Sequence, residues 1–164
     1  MSDVSQWIQA LSSDDVTTRR SAAKQLAQNG PDAQAAAVPL VRCAGDDDEQ
    51  VREWAVGALE ELGPPPADEI SSLEQLATDA NSDIAWWSVT LLGRLKNTAA
   101  PAVPTLVQVL KTSDATNVQE RTVWALDQIS IVTEDVLAAL EVAAKSPSPR
   151  LSRLAIRTQQ RLNP

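Results

Sequence analysis

The chain has 164 residues, 43% of them hydrophobic, with 22 Asp and Glu against 14 Lys and Arg, a formal net charge of −8 at pH 7. That length can bury a substantial core, and no run approaches the roughly 18 unbroken apolar residues of a membrane-spanning helix. One cysteine, Cys43, excludes an intramolecular disulfide, and the lack of histidine removes the usual general base, the Ser-His-Asp and Cys-His arrangements and imidazole metal sites.

Taken in chain order, apolar residues at three- and four-residue intervals predict amphipathic helices in pairs. The shorter, first helices are expected near Val4–Leu11, Ala35–Ala44, Ile70–Thr78, Ala102–Leu110 and Asp135–Ala144. The second are expected near Val16–Gln28, Gln50–Leu62, Asp83–Leu95, Val118–Ile129 and Pro149–Leu162. The breaks carry Asn29-Gly30-Pro31, Gly63-Pro64-Pro65-Pro66, Asn97 to Pro101 and Ser146-Pro147-Ser148-Pro149. Asp15, Asp48, Asn81 and Ser148 each stand where a side chain would cap a second helix, and Ala115 takes that place in the fourth copy. Nothing alternates with period two, so no strand is predicted.

The pairs repeat every 33 or 34 residues. Thr18, Val51, Ile84, Val118 and Leu151 fall in one column, and Leu26, Leu59, Leu92, Leu126 and Gln159 in another. First helices align Trp7, Leu40, Leu73, Leu106 and Leu140. A fixed period of this size means units that bury their apolar faces only by stacking on neighbours. Cys43 shares a column with Ala10, Leu76, Val109 and Ala143 and reads as a small buried hydrophobe.

The pattern Val51-Arg52-x-x-Ala55-Val56-x-Ala58-Leu59-x-x-Leu62-Gly63, preceded by an acidic turn and by Ala37-Val38-Pro39-Leu40-Val41, resembles a HEAT repeat. Ala102-Val103-Pro104-x-Leu106-Val107 and Val118 to Leu126 echo it. The units are similar to the short bacterial HEAT-like repeats found in phycobilisome lyases. The resemblance implies an all-α, right-handed α-α superhelix of five helix pairs, with first helices outside and second helices lining a concave face. It implies one domain over residues 1–164, with units near 1–30, 31–64, 65–98, 99–132 and 133–164. Ser21, Gln25, Asn29 and Gln159 make the end copies more polar, as expected of units facing water. With Met1, they favour a complete array.

Projected at 100° per residue, each second helix turns the columns of Val51, Ala55, Ala58, Leu59 and Leu62 to the core. The opposite face gathers mostly charged residues: Arg20, Glu53, Glu120 and Arg153; Lys24 and Arg157; Glu60 and Asp127; Glu61, Arg94 and Arg161. Trp86 and Trp124 break the pattern, in adjacent copies. A water-exposed indole forfeits on the order of 2 kcal/mol of burial, so two on a solvated face are expected to serve recognition. Trp54 and Trp87 lie at the margin of that face, where wedging between successive second helices is the default and flanking a site the alternative. Arg121 follows in their column, with stacking on Trp87 as the expected cation–π contact. Gly57, Thr90 and Gly93 are small and would leave hollows among the rings. Trp7 is expected to be structural.

These residues point to a non-catalytic protein-binding scaffold. Trp86 and Trp124 would form its centre, aided by Trp54 and Trp87, with Glu53, Glu120, Asp127, Arg94 and Arg121 setting polarity and register. An acidic rim would favour a peptide or helix carrying Lys or Arg beside apolar anchors. Charge is segregated: twelve acids to one cation, Arg52, from Cys43 to Asp83, and five cations with no acid from Val142 onward. That asymmetry keeps self-association, the basic end of one copy on the acidic middle of another, as the second reading.

A HEAT-like DNA glycosylase is the enzymatic alternative, with Trp86, Trp124 and Asp127 at the base and Arg153 and Arg157 on phosphates. Overall acidity stands against it, since phosphate-backbone affinity comes from cations. A bilin lyase role rests on repeat type alone. No Gly-rich phosphate cradle is present. Asp46-Asp47-Asp48-Glu49 lacks EF-hand spacing and reads as a helix-capping turn. No metal or cofactor is expected. The opening MSDVSQWIQAL lacks a cationic and then apolar secretory pattern, so cytoplasm is the expected compartment.

Overall fold

A computed structural model describes residues 3–163; Met1, part of the expectation of a complete array, lies outside them. The chain forms α1 (Asp3–Ala10), α2 (Val16–Asn29), α3 (Ala37–Cys43), α4 (Glu49–Glu61), α5 (Ile70–Ala77), α6 (Ser82–Arg94), α7 (Val103–Thr112), α8 (Thr116–Ile129), α9 (Glu134–Ala144) and α10 (Pro149–Leu162). These are the predicted pairs in the predicted order, with ends that differ by one or two residues. No strand occurs among the described residues.

The capping column behaves as its residue types dictate. Asp15 accepts from the Thr18 backbone N–H, Asp48 from Val51, Asn81 from Asp83 and Ile84, and Ser148 from Leu151. Ala115 gives α8 no side-chain cap. The breaks are more ordered than their Gly and Pro content suggests. Gly30–Ala36, Ala67–Glu69 and Lys96–Ala102 wind into short 3-10 turns. Pro31 sits in the first turn of its segment, where a missing N–H costs nothing. Gly63, with φ +71, ends α4 in a conformation that a side chain would strain.

The helices group into two compact units, one through Glu69 and one from Ile70 onward. In the first unit α2 packs on α4, with α1 against α2 and α3 against α4. Its core is Leu26, Leu40, Val51, Ala55, Ala58, Leu59 and Leu62, all fully buried, and Cys43 is buried beside them. The unit holds all the net charge: 13 acids against five cations, −8. Its acidic turn folds back on itself. Arg19 binds Asp46, Arg20 binds Asp48, and Arg52 donates to the carbonyls of Asp46 and Asp47.

In the second unit α6, α8 and α10 pack side by side, with α5, α7 and α9 against them. Leu73, Leu91, Leu92, Leu106, Leu126, Ile129 and Leu140 fill its core. In the last copy Val136 rather than Leu137 is the buried residue, and α9 starts three residues ahead of the column that opens α3, α5 and α7. Nine acids balance nine cations here, so this unit is neutral.

Candidate functional site

On α8, Asn117, Glu120, Arg121 and Trp124 recur at three- and four-residue steps and therefore share one face. Trp86 on α6 and Arg150 and Leu154 on α10 meet that face and enclose a cavity of about 340 Å³. Arg121 is the hub. Its guanidinium stands 4.0 Å from the centre of the Trp86 ring and 4.9 Å from that of Trp124. Each ring offers the cation its negative face, and such contacts strengthen as water is excluded. The expected stacking of Arg121 on Trp87 does not occur. Arg94 lies over Trp87 instead, at 5.9 Å, because Trp86, not Trp87, is turned toward α8.

The four marginal and central tryptophans divide differently from expectation. Trp87 is buried, 6% exposed, and meets Trp86 edge-to-face with centroids 4.9 Å apart and planes at 82°. It supports Trp86 and offers no surface of its own, which corrects its place among the contact residues. Trp86 and Trp124 are half-buried. Trp54 belongs to the first unit and is the exposed one, at 38%. There it lines a second cavity of about 500 Å³ with Arg20, Lys24 and Glu53, and Lys24 sits 5.6 Å over its ring. Trp7 is half-buried.

The hollows expected beside the rings are partly filled. A Cβ on Gly93 would stand 2.5 Å from Cζ3 of Trp124, so the indole edge occupies the space the glycine leaves. Thr90 is buried and donates to the Trp86 carbonyl. Gly57, by contrast, faces open space.

The charges around Trp86 and Trp124 are also rearranged. Glu120 forms an ion pair with Arg150 at 3.1 Å, and Asp127 accepts from Arg161 at 2.5 Å. Arg161 also donates to the Asp127 carbonyl and to Ser130 Oγ, tying α10 to the end of α8. Among the described residues Arg121 has neither an ion-pair partner nor a hydrogen-bond acceptor. Burial, then repulsion from Arg94 and Arg150, lowers its pKa from the usual arginine value. Beyond Trp124, a second cavity of about 420 Å³ shares Trp124 and Leu154 and adds Asp127, Arg157 and Arg161. Arg153 and Arg157 are exposed on α10. Cations as well as acids therefore line the tryptophans: Arg121 and Arg150 in one cavity, Arg157 and Arg161 in the other. Arg150 and Leu154 were missed, although their spacing of four on α10 is the signal that puts them on one face.

Asp46 to Glu49 is a structural turn: Asp46 and Asp48 are paired with arginines, and Asp48 caps α4. No group of acids and thiols that would hold a metal ion occurs among the described residues. No helix among them is long and apolar enough to cross a membrane.

The model for HEAT repeats matches residues 4–85 and 70–158. This chain belongs to the HEAT-repeat family. No curated protein matches its sequence. Among solved structures it is similar to the complex of CpcE and CpcF of phycocyanin lyase from Nostoc sp. PCC7120, at 21% identity and TM-score 0.65, over 99% of this chain and 66% of that one. A designed armadillo repeat protein in complex with the peptide (KR)4 is similar at 21% identity and TM-score 0.61, over 98% of this chain and 88% of that one. An engineered protein matches at 23% identity and TM-score 0.63, over 99% and 80%. At these identities the likeness is one of fold: an all-α array of stacked helix pairs.

Proposed function

We propose that this HEAT-repeat protein is a non-catalytic interaction scaffold that takes a peptide or helix of a partner protein on the second-helix face of its second unit. One observation carries the reading: two half-exposed indoles, Trp86 and Trp124, are held open by an arginine stacked between them and flank a cavity of about 340 Å³. Rigid aromatic rings with an arginine are the residues that dominate binding energy in protein interfaces. Holding them apart in the unbound chain lowers the ordering cost of capture. The designed armadillo protein that resembles this chain binds a peptide, and CpcE and CpcF form a complex; both support a binding role for the architecture. Asp127 is engaged by Arg161 and Glu120 by Arg150, so both carboxylates beside the tryptophans are held in ion pairs, which suits a non-catalytic role. A cytoplasmic setting suits a chain whose single thiol is buried.

The test compares the wild type with a Trp86→Ala/Trp124→Ala double variant in affinity capture from native lysate. A partner retained by the wild type and lost by a double variant of unchanged helical circular dichroism supports the reading. A double variant that unfolds assigns the rings to the core and removes the site.

A further inference from the structure

Resting on that scaffold reading, the geometry points to an acidic peptide segment as the occupant of the second-unit groove, with an Asp or Glu carboxylate on Arg121 and apolar side chains against Trp86 and Trp124. A Lys- or Arg-rich peptide, the expectation from sequence, meets the wrong field here. Two guanidiniums, Arg121 and Arg150, line the cavity, Arg94 lies close enough to repel Arg121, and the one carboxylate in the lining, Glu120, is already paired with Arg150. Arg121 has its five N–H donors in a fixed fork, matched to a carboxylate, and among the described residues nothing accepts from them. Such a group is costly to leave unpaired beside two rings that strip away its water. An incoming carboxylate would supply the missing acceptor and offset the repulsion from Arg94 and Arg150.

The shape agrees with a chain segment rather than a small anion. The cavity beside Trp86 and the one bounded by Asp127, Arg157 and Arg161 share Trp124 and Leu154, so the two adjoin along α8 and α10. Indole rings, Leu154 and arginines line the two together, which suits a peptide that carries both acidic and apolar residues. The chain as a whole carries a net charge of −8, which disfavours a long polyanion such as nucleic acid.

The experiment pans a random peptide library on the full chain, on Arg121→Gln and on Trp86→Ala/Trp124→Ala, with circular dichroism confirming the fold of each. Peptides selected by the wild type should be enriched in Asp and Glu beside aliphatic or aromatic residues. By calorimetry they should bind Arg121→Gln at least tenfold more weakly, and Arg121→Lys should restore part of the loss. Enrichment of Lys and Arg, or acidic peptides indifferent to Arg121→Gln, overturns the charge assignment while leaving the tryptophan site standing. Selection that ignores Trp86 and Trp124 removes the scaffold reading and this inference together. A low-salt dimer on a sizing column that Arg121→Gln abolishes, or a single-stranded oligonucleotide bound in preference to every peptide, also overturns it.

Discussion

Gly93 on α6 and Trp124 on α8 share one space: the ring edge of the tryptophan lies where the glycine lacks a Cβ. Two helices of adjacent copies are thereby keyed together at the floor of the groove. Gly93→Ala gains about 1 kcal/mol of helix propensity but must push the ring outward. The Ala125 Cα, 3.1 Å from the added atom, gives less easily than a side chain. We expect a net loss of about 1–3 kcal/mol, as overpacking costs, read as a lower melting temperature together with weaker partner capture. Gly57→Ala is the control. Its Cβ meets nothing within 4 Å, so the same substitution should stabilise by roughly 0.5–1 kcal/mol.

Ser88 on α6 is fully buried, and its hydroxyl has no hydrogen-bond partner among the described residues. Ala22, Ala55 and Ala155 hold the equivalent buried position in three other copies. Ser88→Ala should therefore stabilise by about 1 kcal/mol, by removing a desolvated donor without opening a cavity. A denaturant midpoint that falls would show that the hydroxyl has a partner after all.

Asp48 caps α4 and binds Arg20, and its carboxyl is held well below the usual carboxylate range, mainly by the hydrogen bond to Arg20. A depressed pKa contributes stability that is present above the unfolded value and lost as pH falls. Asp48→Asn keeps a capping oxygen and loses the ion pair; Asp48→Ala loses both. Melting temperatures at neutral pH should fall in the order wild type, Asn, Ala; in acid the wild type should approach the Asn variant, with the Ala variant staying below both for want of a cap.

Glu69 behaves in the opposite sense. Burial, then the neighbouring Asp68, pushes its carboxyl up to about 7, while an accepted bond from the Val38 backbone N–H pulls it down. Oε2 is buried without a partner among the described residues. The folded chain thus holds this proton more tightly than the unfolded one. Its contribution is complete below the unfolded value of 4.5 and is lost as pH rises through about 7. The half-exposed carboxyl shares its field with solvent, which reduces the effect to about 1 kcal/mol. Melting temperature should decline between about pH 5 and pH 8 in the wild type, and Glu69→Gln should flatten that slope.

The fold was legible because the constraint behind it is periodic. Leu26, Leu59, Leu92 and Leu126 recur at a fixed interval, and each is buried. Asp15, Asp48, Asn81 and Ser148 cap helices through local bonds that need no tertiary information. The site was half legible. A helical wheel finds Trp86 and Trp124 on the solvated side, because that depends only on angle within one helix. It does not find which arginine faces which ring. Arg121 choosing Trp86 over Trp87 depends on the stagger between α6 and α8, and the pairing of Glu120 with Arg150 on the approach of α10. Those two contacts set arginines beside the rings and pair off a carboxylate there. The order in Gly30–Ala36 and Lys96–Ala102 was missed for a related reason, since Gly and Pro mark a break in an α-helix without excluding a tighter turn.

The chain has five tryptophans and no tyrosine, so its ultraviolet emission is that of indole alone. Three of those five chromophores, Trp86, Trp87 and Trp124, lie at or directly beneath one recess, with a guanidinium against two of them. Whatever enters that recess meets the surroundings of three of the five emitters. The protein carries a built-in optical reporter of its own occupancy, and titrations can follow it without a dye.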